Sequence, residues 1–300
     1  MGYQSVFRQG LFGGRVVVVT GGGTGIGRCT AHELAALGAH IVLVGRRVGP
    51  LEKTAAEIGD DGGSAEWLSC DIRDEERVKA TVSSVVEAHG RIHGLVNNAG
   101  GQFTAPLAEM SLKGFETVVR TNLVGGFLMA REVHAHCMRD HGGAIVNVTA
   151  DYERGLPLMG HSAAARAAMA NLTRTLAIEW APSGVRVNAV APGFIASSGY
   201  DTYEGEPFQE LLGRLPAMTL AQRHGTESEV SAAIVFLLSD AAAYITGAEL
   251  AVTGGSNIVS GLFDVPRHDR LPPFEGFHRS IRPAALEARS GAPDQPEGGA

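Results

Sequence analysis

Val16-Val17-Val18-Val19-Thr20-Gly21-Gly22-Gly23-Thr24-Gly25-Ile26-Gly27 is the stretch whose reading decides the fold class. Val16 to Val19 is a β-branched apolar run, the pattern of a strand buried on both faces. A glycine-rich turn follows at once, and a helical pattern then runs to about Leu37. A dinucleotide site needs this order: one glycine for the tight turn, one for backbone approach to a pyrophosphate, and one for close helix–strand packing. The helix N-terminus then offers unpaired N–H groups to the anion. Gly21, Thr24, Gly25, Ile26 and Gly27 are therefore candidate cofactor-binding residues. The competing reading is a purely structural turn.

Working outward, further strands are expected over 41–44, 66–69, 92–96, 144–148, 186–190 and 249–252. Helical patterns cover 75–89, 112–139, 162–180 and 227–239. Strand–helix alternation of this kind predicts an α/β fold, a doubly wound parallel sheet with helices on both faces. One domain over 14–260 accounts for it, with a lead-in at 1–13 and a proline-containing extension at 261–300. About the last ten residues are expected to be disordered. Hydrophobic residues make up 44% of the 300 and charged ones 19%, enough for a large core.

A net charge of −7 gives no basic footprint, so nucleic acid is not an expected partner. Cys29, Cys70 and Cys137 are scattered without metal or redox spacing and read as reduced thiols. His134, His136 and His141 share no helix face, and no metal is expected. No signal segment, membrane span or peroxisomal tripeptide is recognisable, so the expected location is cytoplasmic.

The second strand runs into Gly45-Arg46-Arg47. NAD sites usually carry an acidic residue here for the ribose hydroxyls. Two arginines instead suit a 2′-phosphate and favour NADPH/NADP+, unless they are ordinary surface residues. Asp71, beside Ile72 after the third strand, is placed to accept from an adenine amino group.

The glycine turn, Asn97-Asn98-Ala99-Gly100 and Pro192-Gly193 together resemble the short-chain dehydrogenase/reductase superfamily over about residues 12–256. The resemblance implies a Rossmann-type fold and a homo-oligomer, a tetramer or dimer. It also implies that Asn98, Ala99 and Gly100 line the adenine-ribose side, and that Pro192, Gly193 and Ile195 hold the nicotinamide carboxamide. Asn122 matches the superfamily's active-site asparagine. The departure lies at the usual Tyr-x-x-x-Lys. Register with Asn171-Leu172-Thr173-Arg174 puts Ser162 at the tyrosine position and Arg166 at the lysine position. Serine and arginine cannot run the usual proton exchange with an alcohol oxygen.

Reduction of a carbon–carbon double bond conjugated to a thioester needs only hydride delivery and donors for an enolate oxygen. Gly100-Gly101-Gln102-Phe103, His161 to Ala167 and Val265-Pro266-Arg267-His268-Asp269 resemble the peroxisomal-type trans-2-enoyl-CoA reductases. That likeness implies a fatty enoyl thioester, with coenzyme A as its carrier. Tyr152 stands near the loop position where the related 2,4-dienoyl-CoA reductases carry a tyrosine. Asn122, Tyr152 and Ser162 are the candidates to stabilise the enolate, with Arg166 on the nicotinamide ribose. His161 is an alternative acid. Residues 198–225 are expected to form a substrate lid in which Phe208, Leu211, Leu212, Leu215 and Met218 either wall an acyl chain or form a small core. A 2,4-dienoyl-CoA reductase, a terpenoid or medium-chain alcohol dehydrogenase and a silent nucleotide-binding protein remain the alternatives.

Overall fold

The computed structural model describes residues 2–203, 211–260 and 262–287. Seven strands form one sheet: β1 Val16–Thr20, β2 His40–Gly45, β3 Ser64–Ser69, β4 Gly94–Asn97, β5 Gly143–Val148, β6 Val185–Pro192 and β7 Glu249–Val252. Their order is β3-β2-β1-β4-β5-β6-β7, and every pair is parallel. The expected α/β Rossmann-type architecture is the one observed. Residues alternate across a strand, so β1 feeds two cores. Val17 and Val19 pack with Leu34, Ile41, Val146 and Ile234 on one face. Val16 and Val18 pack with Val82, Met129, Ile145 and Leu176 on the other. Each such fully buried aliphatic side chain contributes roughly 1.5–3 kcal/mol.

The first face is covered by α1 (Gly25–Ala36), α2 (Val48–Asp60) and the later helix α6 (Glu227–Leu238). The sequence pattern had not suggested α2. Gly49, Pro50 and Gly59 break its periodicity, yet a proline in the first helical turn loses no hydrogen bond. The opposite face carries α3 (Glu75–His89) and the long α4, and α5 (Gly160–Trp180) packs there too. Asp74 caps α3 by accepting from Arg77 N–H, and left-handed Gly90 ends it. Thr226 and Glu229 form a reciprocal capping box at the start of α6. The helix α4 is built from Leu112–Val119, Gly125–Val133 and Arg139–His141, joined by π-helical turns at Arg120–Val124 and His134–Met138. Asn122 lies in the first of these turns, and π-turns recur at functional sites.

The chain's outer segments pack on α1. Tyr3 and Ser5 donate to the buried Glu33 carboxylate, which also accepts from Ser231 of α6 at 2.5 Å. Phe277 is buried beneath the Arg28 guanidinium and beside His32, and Arg279 pairs with Asp61. Gln4 N–H donates to the Gly276 carbonyl. Among the described residues no helix is long and apolar enough to cross a membrane. The final ten residues, expected to be disordered, lie outside the described residues, as does Phe208.

Candidate active site

The strand order reverses between β1 and β4, and in open α/β sheets the ligand crevice forms there, beyond the carboxyl ends of the strands. A cleft of about 640 Å³ occupies this place. Gly21, Thr24, Gly25 and Ile26 form its floor, with Arg46, Arg47, Asp71 and Ile72 on one side. Asn98, Ala99, Gly100, Arg166, Pro192 and Gly193 continue the wall.

The glycine turn is a cradle that side chains would fill. Gly21 has φ +66°, and a Cβ there would lie 2.9 Å from the Ala99 Cα. A Cβ on Gly27 would overlap the Gly21 carbonyl and the Asn98 amide, so Gly27 acts through close packing rather than by lining the cleft. Asn98 Nδ2 donates to the Thr20 and Gly21 carbonyls, and the Asn98 and Ala99 N–H groups donate to Thr20 Oγ1. These bonds hold the backbone open at the start of α1, where N–H groups and the helix dipole suit a pyrophosphate. The residues present therefore fit a nicotinamide dinucleotide. Asp71 is held by Arg73 in a two-oxygen pair, which lowers its carboxyl to about 2. It is a fixed acceptor at any physiological pH.

Ile195 takes part through its backbone alone. Its side chain belongs to the core, and it does not line the cleft. The neighbouring Ala196 N–H is bonded to the Gly225 carbonyl, and Gly225 N–H returns to Phe194, so this segment is pinned as a short parallel bridge. Only its backbone remains to face a cofactor.

Arg166 is buried, and its Nη1 donates to the Val148 carbonyl at 2.6 Å. Burial lowers its pKa to about 10, which leaves it protonated at neutral pH. A Cβ on Gly100 would overlap the guanidinium, so Gly100 is small to admit it. Asn122 Oδ1 accepts from Gly101 N–H at 2.9 Å, and Asn122 Nδ2 lies 3.4 Å from Ser162 Oγ as a donor. Ser162 in turn donates to Gln102 Oε1 at 2.6 Å, and Gln102 Nε2 donates to the Tyr203 hydroxyl. Asn122 and Ser162 are both buried and stand behind Gln102, whereas Gln102 and Tyr203 line the cleft.

The structure thus gathers Asn122, Ser162 and Arg166 and leaves Tyr152 out. The Tyr152 hydroxyl donates to Glu249 Oε2 at 2.7 Å, and Thr149 Oγ1 occupies the other oxygen of that carboxylate. This bond turns Tyr152 toward β7, and it does not line the cleft. Gln102 and Tyr203 are the functional candidates that sequence reasoning missed. A tyrosine in the segment after Pro192-Gly193 was the available signal. His161 is wholly buried; its Nδ1 accepts from Ser162 N–H, its Nε2 has no hydrogen-bond partner among the described residues, and its ring packs edge-on against Phe103. Burial lowers its pKa, which favours a neutral ring rather than an acid.

The expected lid residues divide. Leu212 and Leu215 are buried in a small cluster with Tyr200 and Leu286, Leu211 packs against it, and Met218 is exposed. Among the described residues none of these four leucine and methionine side chains lines the cleft.

A family model described as enoyl-(acyl carrier protein) reductase matches residues 21–257. The chain belongs to the short-chain dehydrogenase/reductase family. It is 36% identical over 262 residues to a peroxisomal 2,4-dienoyl-CoA reductase of Danio rerio, covering 86% of each chain. It is also 36% identical to D-threitol dehydrogenase of Mycolicibacterium smegmatis, over 82% of this chain and 94% of that one. Among solved structures, a citronellol catabolism dehydrogenase (AtuB) of Pseudomonas aeruginosa is 57% identical with a TM-score of 0.77. That alignment covers 85% of this chain and all of the other. Family membership makes the chain a nicotinamide-dependent oxidoreductase. These relatives span carbon–carbon and alcohol chemistry.

Proposed function

We propose that this reductase delivers hydride from NADPH to the β-carbon of an α,β-unsaturated acyl thioester, and that a proton from water then reaches the α-carbon of the enolate to complete the reduction. The observation that carries the reading is the donor chain Asn122–Ser162–Gln102–Tyr203, which ends at the cleft that Arg166 also lines. Each link polarises the next, so the last hydroxyl is a stronger donor than an isolated phenol. Tyr203 then donates to the thioester oxygen as negative charge develops there, and the Arg166 guanidinium adds positive potential beneath it. Arg46 and Arg47 would hold the 2′-phosphate and Asp71 the adenine. NADPH, when bound, supplies the hydride.

Alcohol oxidation asks for the opposite property, a phenol ready to lose its proton. Burial raises the Tyr203 pKa, against a smaller lowering by Gln102 and Arg166. Tyr203 is thus suited to donate and unsuited to act as a base. An adjoining hollow of about 440 Å³ bears Lys113, a cation that suits a phosphate of coenzyme A. The neighbour named for citronellol catabolism adds methyl-branched isoprenoid acyl chains to the candidates. A dienoyl thioester is the second reading, favoured by the similarity to 2,4-dienoyl-CoA reductases.

The test follows cofactor absorbance with a trans-2-enoyl-CoA, a methyl-branched enoyl-CoA, a 2,4-dienoyl-CoA, citronellol and citronellal. Oxidation of NADPH with the enoyl thioesters is the expected result. Turnover confined to the alcohol or aldehyde would overturn the proposal.

A further inference from the structure

Away from the cleft, at the amino-terminal end of the sheet, three potential ligand atoms converge. His40 opens β2, Glu66 lies on β3 and His89 ends α3. One ligand atom from each lies within 4.8 Å of the other two. His89 Nε2 is 2.7 Å from Glu66 Oε1, and His40 Nε2 is 3.8 Å from the same oxygen. The two imidazoles lie against each other with centroids 4.5 Å apart.

One atom in this group stands out. Among the described residues, His40 Nε2 is buried and has no partner at hydrogen-bond distance. Its other nitrogen, Nδ1, is tied to Ser64 Oγ at 2.7 Å. If Nδ1 carries the proton, Nε2 is a bare lone pair directed toward a carboxylate, an arrangement that is repulsive unless a cation lies between. Metal-ligating histidines are typically oriented in this way by a hydrogen bond at the second nitrogen.

We propose that His40, Glu66 and His89 bind a divalent ion of the zinc class, with water as the fourth ligand. Two nitrogens and one carboxylate oxygen with an open position are a known zinc donor set. Zinc bonds of about 2.0–2.2 Å place tetrahedral ligands roughly 3.3–3.5 Å apart. The His40–Glu66 separation is near that spacing. The His89–Glu66 pair, at 2.7 Å, must open by roughly 0.6–0.8 Å, a small rotation of half-buried side chains. The ion would join the sheet's edge pair β2–β3 to the end of α3. It would act on stability and not on turnover, because His40 and the cleft residue Arg46 sit at opposite ends of β2. Six residues of strand separate such ends by about 17 Å.

The full chain is stripped with chelator and titrated with ZnCl2 by calorimetry and by competition with a chromophoric chelator. One equivalent should bind with a Kd in the micromolar range or tighter. At hundredfold excess over Kd, Tm should rise by roughly 5 °C. CoCl2 should give the visible bands of a tetrahedral site. His40→Ala and Glu66→Gln should each weaken binding at least tenfold while circular dichroism and cofactor affinity stay unchanged. Absence of binding at 100-fold molar excess would refute the proposal. So would zinc binding that His40→Ala and Glu66→Gln leave intact, since the ion would then sit elsewhere. Should His40→Ala fail to fold, Glu66→Gln and the Co2+ spectrum decide alone.

Discussion

Tyr203→Phe removes one hydroxyl and leaves the ring. In the structure that hydroxyl ends a chain of donors running through Gln102 and Ser162 from Asn122. If it carries the developing oxyanion charge, its loss is the loss of one preorganised donor. That is worth about 2.7–4 kcal/mol, or roughly 10²- to 10³-fold in kcat. KM should change much less, because the ground-state carbonyl is a weaker acceptor than the enolate. The assay is steady-state oxidation of NADPH at saturating enoyl-CoA, with Tyr152→Phe measured beside it. Tyr152 is bonded to Glu249 and stands outside the cleft, so its variant should keep kcat within about twofold and lose at most about 1 kcal/mol of stability. Gln102→Leu adds a check on the chain itself. It should lower kcat, and it should also destabilise the fold by about 1–3 kcal/mol, because it leaves the buried Ser162 hydroxyl without its acceptor. A Tyr203→Phe enzyme with unaltered kcat, or a Tyr152→Phe enzyme slowed tenfold, would refute the reasoning.

Arg46→Ala should weaken NADPH by roughly tenfold or more while NADH binding barely changes, since a charge-assisted bond is worth about 1.5–3 kcal/mol; fluorescence titration with both cofactors checks it, and equal losses would rule out a 2′-phosphate contact. Gly27→Ala places a methyl on the Gly21 carbonyl and should cost about 1–3 kcal/mol in chemical denaturation, with a parallel loss of cofactor affinity. Glu227 is buried and its pKa is raised to about 7, chiefly by that burial, with Arg28 lowering it. The unfolded chain therefore releases this proton first, and native stability falls as pH rises from about 4.5 toward 7. Glu227→Gln should raise stability by at most roughly 3 kcal/mol at pH 8 and by much less at pH 5, read from urea unfolding at the two pH values.

The valine run and glycine turn carried the fold, because a doubly buried strand beside a phosphate turn has few other readings. Register against the family pattern also picked out Ser162 and Arg166, since α5 is one uninterrupted helix and its numbering counts turns. Tyr152 could not be placed that way. It sits in an irregular loop, and its direction depends on Glu249, which lies ninety-seven residues further on. Gln102 and Tyr203 have the same difficulty, being partners across 101 residues with no shared periodic element. The family resemblance assigns Ile195 to the nicotinamide side, and its side chain follows the core, which leaves the backbone for that contact. The helix α2 was hidden because its glycines and proline erase the apolar stripe. Long-range polar contacts and loop directions are the information that local pattern does not hold.

The helix α1 is gripped by two unlike things. Its N-terminus belongs to the glycine turn that faces the cleft, while Arg28, His32 and Glu33 anchor the outer segments around Phe277, Ser5 and Tyr3. Twelve residues of rigid helix thus join a ligand site to a docked strap. If nucleotide binding stiffens α1, then peeling of the strap becomes harder by some factor, and linkage requires that a strapless protein bind nucleotide more weakly by that same factor. Protease nicking near residue 280 would then report cofactor occupancy with no chemistry at all. In that sense the outer turns of this chain are a gauge of what the glycines hold.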